Sequence, residues 1–327
     1  MIIENIAVVL IAVIIDMIAG DPEKFPHPVR YIGKLISFLE KKVRKNFKNL
    51  KLGGFFVLIG TVVATFAFIS AVLFIAGKIS MYLYYMIKIY IVFSGIAAKC
   101  LSDECRKVYD VLKKGSVKKA RKQISYLVGR DTSSLDKSEI AKAAVETAAE
   151  NTVDGVLAPI FYALIGSLIG LPAQFIYIYK SVNTLDSMIG YNNEKYGDIG
   201  FFSAKFDDIL NIVPARIGGI VMAFSGIFLR LNVVDGFKIM FRDRKNHKSP
   251  NCAYPEGAAA GLLGVQLGGT HTYFGEEVYK PTIGDAKREI EPEDILKTTK
   301  LIFVSETVFF ILMAVAATAA AEALNLL

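Results

Sequence analysis

Residues 53–76 run for 24 consecutive positions without a charged side chain. About 20 apolar residues suffice for a helix to cross the hydrocarbon core of a bilayer, and inside lipid every backbone polar group must be satisfied by the segment itself or by a closed barrel. No stretch of the sequence sustains the two-residue alternation of a barrel strand, so the segment predicts a membrane-spanning helix. Composition agrees: 53% of the 327 residues are hydrophobic against 21% charged, and the mean hydropathy is +0.43. Those values exclude an ordinary water-soluble globule, and they exclude disorder as well.

Further spans follow from the same criterion. Ile79–Ala98 is apolar and crowded with Tyr82, Tyr84, Tyr85 and Tyr90, as interface aromatics are. Leu301–Ala321 is broken only by Glu306, and its alanine-rich end suits close helix packing. At the start, residues 1–19 are apolar with no preceding basic residue and no small-residue cleavage site, which reads as a retained anchor and not a signal peptide. Val156–Tyr179 is uncharged but carries Pro159 and a Gly170-Leu171-Pro172 break; residues 212–230 complete the set. The expected fold is therefore all-α: one polytopic integral membrane domain over 1–327 with four to six membrane segments, at 1–19, 53–76, 79–98, 156–179, 212–230 and 301–321.

Charge orients this arrangement. Residues 20–52 hold nine Lys and Arg, 98–155 hold twelve and 231–300 hold ten, whereas 179–211 hold three. The positive-inside rule puts the first three regions in the cytoplasm. A six-span arrangement would export 179–211; broken or re-entrant helices at Pro172 and Pro214 would return it inward. The net charge of +7 is then explained by basic cytoplasmic loops, with no nucleic-acid partner required. Three cysteines, Cys100, Cys105 and Cys252, without CxxC spacing read as free thiols in a reducing compartment. Within 99–155, residues 99–114, 117–128 and 137–153 show helical apolar spacing, and Asp136 and Glu139 have the spacing of a capping box. This is a cytoplasmic helical insertion; 231–300 reads as a cytoplasmic loop region.

Five polar constellations interrupt the apolar sequence. Leaving the first span, Asp16, Asp21-Pro22 and Pro26-His27-Pro28-Val29-Arg30 form a proline-stiffened elbow, either a juxtamembrane turn with solvated charges or an anion site using Arg30. In Glu146-Thr-Ala-Ala-Glu150-Asn151-Thr-Val-Asp154, spacings of four and eight put three acids on one helical face. Hard oxygen ligands of this kind suit Mg²⁺, although acidic faces are also common on exposed helices. Asn183, Asp186 and Ser187, then Asp207, Asp208, Asn211 and Arg216, place polar groups at helical spacing in strongly apolar surroundings, where they are costly enough to suggest function. An Asp207 or Asp208 pair with Arg216 is the structural alternative. Last come Ser249, Asn251 and Glu256, leading into a glycine-rich stretch with Gln266, Gly268 and Gly269, then Tyr273; repeated glycine lets backbone amides approach a phosphate, or simply turns the chain.

Several chemistries are unsupported. No GxxxxGK[ST] loop, no GxGxxG after a strand and no GxSxG elbow occurs, and three scattered histidines, His27, His247 and His271, do not make a zinc site. A carrier remains a competing class because broken helices and intramembrane acids occur there too, yet it predicts inverted halves and none is seen. A lipid-alcohol phosphotransferase would need a further DxxxD near Asp154-Gly155, and none is present.

Taken in order, GDPEKFPHPVRYIG at 20–33, ETAAENTVDGVLAP at 146–159, NTLDSMIGY at 183–191, DDILNIVPAR at 207–216 and SPNCAYPEGAAAGLLGVQLGG at 249–269 resemble the membrane-bound adenosylcobinamide-phosphate synthase family of cobalamin biosynthesis. Ala253, Gly257 and Lys205 stand where the resemblance leads one to expect Gly, Ala and Arg. The resemblance implies an ATP-dependent ligase that forms an amide between the free propionate carboxylate of adenosylcobyric acid, a corrinoid, and aminopropanol phosphate or ethanolamine phosphate. A multi-pass protein of the cell membrane is expected, with its active site at the cytoplasmic face and the bilayer as a further partner; whether a second copy of the chain joins it is left open by the sequence. In that chemistry His27, Asp186, Asp207 and Asp208 are the expected catalytic groups. Mg²⁺ is expected on Glu146, Glu150 and Asp154, with Asp207 and Asp208 as the alternative pair. Arg30, Asn151, Asn183, Ser187, Asn211, Arg216, Ser249, Asn251, Glu256, Gln266, Gly268 and Gly269 are expected to bind substrate or phosphate.

Overall fold

A computed structural model describes residues 1–21, 26–273 and 276–323. Pro22 of the elbow lies outside the described residues, as do the side chains of His271 and Tyr273. The fold is helical, and the described residues hold six stretches long and apolar enough to cross a membrane: Ile2–Ala19, Leu50–Ile79, Met81–Lys113, Lys137–Leu168, Phe201–Leu229 and Pro292–Ala323. Packing groups the chain into two compact units, 1–97 with 158–211 and 310–327, and 98–157 with 212–309. The two regions set apart by the sequence, 99–155 and 231–300, both fall in the second unit.

The first unit holds α1 (Ile2–Ala19), α2 (Pro28–Asn46), α3 (Leu50–Ile79), α4 (Met81–Phe93), α8 (Ala158–Leu168), α9 (Pro172–Ile189) and the start of α10 (Phe201–Ser225). Pro28 is the first residue of α2, where its missing N–H costs nothing, and His27 caps the helix by accepting the Val29 N–H on Nδ1 at 3.3 Å. α3 packs on α2, α4 and α9, and α1 on α4 and α8. Ile176 and Tyr177 of α9 are fully buried, and the Tyr177 hydroxyl meets Ser94 Oγ at 2.8 Å.

Three features from α8 to α10 differ from expectation. The segment 156–179 is not one span: Gly170, at φ +82°, ends α8 in the left-handed conformation that glycine tolerates, and Pro172 begins α9. Most of the expected loop 179–211 is helix, so that only 190–200 link α9 to α10. Conversely, Pro214 does not break α10, which runs through it from Phe201 to Ser225.

The second unit holds α5 (Ala98–Lys113), α6 (Val117–Ile124), α7 (Lys137–Thr152), a π-helical turn at Val153–Leu157, a 3₁₀ turn at Gly226–Leu229, α11 (Val233–Asp243), α12 (Ala253–Leu263), strands β1 (Leu267–Tyr273) and β2 (Glu276–Ile283), and the start of α13 (Pro292–Ala323). The capping box of α7 forms in both directions: Glu139 N–H to Asp136 Oδ1 at 2.8 Å, and Asp136 N–H to Glu139 Oε2 at 2.7 Å. α12, Ala-Tyr-Pro-Glu-Gly-Ala-Ala-Ala-Gly-Leu-Leu, has small side chains on most faces and is buried along almost its whole length. Its glycines permit close contact with α11: a Cβ on Gly257 would stand 2.9 Å from the Met240 Cα.

The sequence reading foresees no strand, and here the structure corrects it. β1 and β2 pair antiparallel, Thr270 with Tyr279 and Leu267 with Ile283, with a bulge between Leu267 and Gly269. Gly268 and Gly269 in one strand and Pro281 in the other erase the alternation by which strands are recognised. The region 231–300 is accordingly built of helices and a hairpin, not an extended loop.

Candidate active site

In the second unit, α7 carries Glu146, Glu150 and Asn151, and the π turn that continues it carries Asp154. A π turn inserts an extra residue into the helical repeat and frequently marks a functional site. Glu146 is buried at the hairpin: Oε1 accepts the Gly268 N–H at 2.7 Å, and Oε2 pairs with Arg130 Nη1 at 2.9 Å, the arginine side chain being 4% exposed. Gly268 sits at φ +75°, and a Cβ there would lie 2.5 Å from the Pro281 carbonyl oxygen, so glycine alone brings this amide to the carboxylate. Lys142, one turn earlier on α7, donates to the Gly268 carbonyl at 3.1 Å.

One turn on, Glu150 accepts the Cys252 thiol at 3.0 Å. Burial pushes that thiol well above its ordinary range, and the charges of Glu150, Asp154 and Glu256 push it further; Cys252 therefore stays protonated and donates. Glu256 is 4% exposed on α12. Burial raises its carboxyl well above the usual carboxylate range, Glu150 and Glu146 add to this, and Lys280 and Arg130 oppose it. His247 is held down by burial, against the opposing pull of Glu150, so its imidazole is neutral at pH 7; Nδ1 accepts the Ser249 N–H at 3.0 Å. Acids from α7 and α12 thus share a buried space with Arg130 and Lys280, and burial together with Glu150 and Glu146 favours the protonated form of Glu256.

Around this centre, Asn251 N–H donates to Ser249 Oγ at 3.3 Å, and Arg216 donates to Asn251 Oδ1 at 3.4 Å and to the Ile212 carbonyl at 2.7 Å. The guanidinium lies 4.9 Å from the centroid of the Tyr254 ring. Two further expected binding groups make local hydrogen bonds: Asn151 Nδ2 donates to the Thr147 carbonyl at 2.9 Å and Gln266 Nε2 to the Gly284 carbonyl at 3.2 Å. Gly269, at φ +100°, continues the bulge. Among the described residues, no group of three or more His, Cys, Asp or Glu is arranged to hold a metal ion by itself.

A second polar group forms in the first unit, between α9 and α10. Asp207, 8% exposed, accepts from Asn183 Nδ2 at 3.2 Å and from Asn211 Nδ2 at 3.0 Å, and Tyr179 Oη donates to Asn211 Oδ1 at 3.0 Å. Asp208 is half-buried beside it on α10. Ser187 Oγ donates to the Asn183 carbonyl at 2.7 Å, and the Asp186 carbonyl accepts the Gly190 N–H that ends α9. α2 packs here through Gly33 against Met188, bringing the elbow to the same end of the unit. Arg30 is exposed on the first turn of α2. His27 has both nitrogens engaged, Nδ1 by the Val29 amide and Nε2 by Asp21 at 3.3 Å, while Asp16 is fully buried in α1.

Arg130, His247, Cys252, Tyr254 and Lys280 join the site without having been expected there. Arg130 stands in a Gly-Arg-Asp turn that reads as punctuation, and His247 is hidden in the basic run 242–248. Cys252 and Tyr254 lie inside the motif 249–269 and were readable only by their neighbours.

The motif segments thus form two buried polar groups, and comparison with known proteins gives them a family. Residues 9–302 match the family described as CobD/Cbib protein. The chain belongs to the CobD/CbiB family. Its similarity to individual members is high: 48% identity over 95% of this chain and 97% of the cobalamin biosynthesis protein CobD of Clostridium tetani, and 50% over 90% and 92% for the protein of the same name in Clostridium perfringens. The cobalamin biosynthesis protein CbiB of Salmonella typhimurium is 42% identical over 93% of this chain and 94% of its own length. No solved structure matches the chain. Membership of the CobD/CbiB family supports a role in cobalamin biosynthesis, carried by a multi-pass helical membrane protein.

Proposed function

We propose that this protein joins aminopropanol phosphate, or its close relative ethanolamine phosphate, to the free propionate carboxylate of adenosylcobyric acid, with ATP consumed. The observation that carries the reading is the buried centre in which Glu146, Glu150 and Glu256 face Arg130 and Lys280. A carboxylate does not accept an amine in water until one of its oxygens becomes a leaving group. ATP serves this purpose if the propionate oxygen attacks the γ-phosphorus and ADP departs, giving an acyl phosphate. The amine then attacks the carbonyl carbon, inorganic phosphate leaves, and the nitrogen loses a proton to a base.

The side chains divide over these steps by their chemistry. Arg216, anchored on Asn251 and Tyr254, and Arg30 at the start of α2 are suited to phosphate oxygens. Proton removal falls to His27, which the Val29 amide and Asp21 orient, or to one of Asp186, Asp207 and Asp208. Mg²⁺ usually takes one or two carboxylates and fills its shell with substrate phosphate and water. Glu150 and Asp154 fit that demand, Glu146 being engaged by Arg130 and Gly268; burial is the main cause of the raised Glu256 carboxyl, and a divalent cation would offset the part that Glu150 and Glu146 add. Such an ion would neutralise phosphate charge as it develops. The reading also puts the protein in the cell membrane with this chemistry at the cytoplasmic face.

The test is a mass-spectrometric assay of detergent-purified protein with adenosylcobyric acid, aminopropanol phosphate, Mg²⁺ and ATP, beside Glu150→Gln and Asp207→Asn. The expected product is heavier than the corrinoid by the amino-alcohol phosphate less one water, and is lost in both variants. Folded protein that makes no product and turns over no ATP would overturn the reading and return attention to a carrier of anionic corrinoids.

A further inference from the structure

The polar groups of α9 and α10 occupy one end of the first unit; the opposite end holds a different set. There the start of α1, the end of α3, the start of α4 and the α8–α9 junction surround two adjoining cavities of about 320 and 380 Å³. Both are walled by Gly77, Tyr84 and Gly170.

Lys88 lines the smaller cavity and is 3% exposed, in a helix otherwise made almost wholly of apolar and aromatic residues. Its ammonium group donates to Asn5 Oδ1 at 2.5 Å and to Tyr84 Oη at 3.1 Å, both neutral oxygens. An ammonium has three donors, so one is left, and among the described residues no carboxylate stands within ion-pair distance of it. Glu4, on the wall of the same cavity, is 63% exposed and accepts instead from Tyr85 Oη at 3.2 Å. A buried cation at membrane depth without a counter-charge is costly, and such a residue is retained where an anion completes it.

The larger cavity supplies the complement. Gln174 is 5% exposed on its wall; Nε2 reaches Ser70 Oγ at 3.4 Å, and Oε1 is buried with no hydrogen-bond partner among the described residues. That oxygen requires a donor. Lys78 adds a second cation to the same wall, and Leu73 and Phe74 add apolar surface.

We propose that these cavities bind a hydroxylated phosphate ester, its phosphate against Lys88 and Lys78 and its hydroxyl donating to Gln174 Oε1. The same chemistry is offered by a phosphatidylglycerol head group and by free glycerol 3-phosphate. The proposal is independent of the amide-forming reaction, because none of its residues belongs to either polar group described above.

The test uses the full-length protein, stripped of lipid in a maltoside detergent that contains no phosphate, titrated in separate arms with short-chain phosphatidylglycerol and with glycerol 3-phosphate. Native mass spectrometry counts the bound molecules. Lys88→Met is expected to weaken binding roughly tenfold or more, as loss of a charge-assisted hydrogen bond does, and Lys88→Arg to retain most of it. Dependence on Lys88 in the lipid arm alone identifies a membrane lipid; the same dependence in both arms identifies a free phosphate ester. Binding absent from both arms, or unaffected by Lys88→Met, overturns the proposal. Should Lys88→Met fail to fold, Gln174→Leu takes its place in the same titration, and an unchanged affinity overturns the proposal equally.

Discussion

The Tyr162 hydroxyl donates to the Leu210 carbonyl oxygen at 2.8 Å. Leu210 is four residues before Pro214, so its carbonyl is the one that a helical N–H at 214 would have bonded. Proline has no such hydrogen, and inside a helix it usually kinks or breaks the ladder. Here a phenol from α8 supplies the missing donor, and α10 continues. Tyr162 stacks in turn on Tyr179, ring centroids 5.2 Å apart, and Tyr179 holds Asn211 beside Asp207.

Tyr162→Phe should therefore cost about 1 kcal/mol or more, the penalty for leaving a partly buried carbonyl unsatisfied. In Pro214→Ala the backbone N–H returns and the phenol becomes redundant. The cost of Tyr162→Phe measured by thermal unfolding in detergent should shrink in that background, giving a coupling of about 1 kcal/mol or more in the double-mutant cycle. Additive effects would show that the phenol does not replace the backbone donor.

Arg130→Met should be among the most damaging single changes in the second unit. It takes the guanidinium away from the buried Glu146 carboxylate, and breaking a buried pair by removing one member costs about 3–5 kcal/mol. Adding Glu146→Gln to Arg130→Met removes the buried charge that has lost its arginine and should recover part of the loss, read from the unfolding midpoint.

Gly257→Ala introduces a methyl group 2.9 Å from the Met240 Cα, into backbone and not into a side chain that can turn away. Overpacking of this kind costs about 1–3 kcal/mol. The resemblance leads one to expect alanine at 257, so the variant also asks whether α11 and α12 have drawn closer in this chain. A lowered midpoint is expected; an unchanged one would mean that α11 yields.

Acid should loosen the contact between α11 and the hairpin. Burial pushes the Asp243 carboxyl up, but hydrogen bonds from Arg242 and from the Gly284 amide, with the charge of Arg242, overrule it and hold the carboxyl below its ordinary value of 3.8. A depressed carboxylate stabilises the fold fully above the unfolded value and loses that contribution as pH falls through the folded one. Wild-type stability should thus fall below about pH 4 more steeply than that of Asp243→Asn, which starts lower and has nothing to titrate. Parallel profiles would exclude Asp243 as the source.

The membrane helices were legible because an uncharged run of 24 residues at 53–76 has few ways to fold, and the α7 cap because Asp136 and Glu139 encode it locally. Two breaks were proposed at prolines and one occurred. At Gly170-Leu171-Pro172 the chain has a residue able to turn left-handed, whereas before Pro214 a tertiary donor, 48 residues in sequence from the Leu210 carbonyl it satisfies, rescues the helix, and no local pattern announces that. The hairpin was illegible because its glycines and proline serve the contact with Glu146 and the bulge, at the expense of alternation. The acids of α7 stood out by spacing, but their cation did not: Arg130 is brought to Glu146 by folding across 16 residues and a turn.

Glu146 fastens two otherwise separate pieces of chain, the turn bearing Arg130 and the bulge bearing Gly268. Anything that recruits, protonates or replaces this carboxylate must slacken both at once. The Gly268 amide proton is consequently a built-in gauge: its rate of exchange with solvent deuterium reports the occupation of Glu146 without any label placed in the site itself.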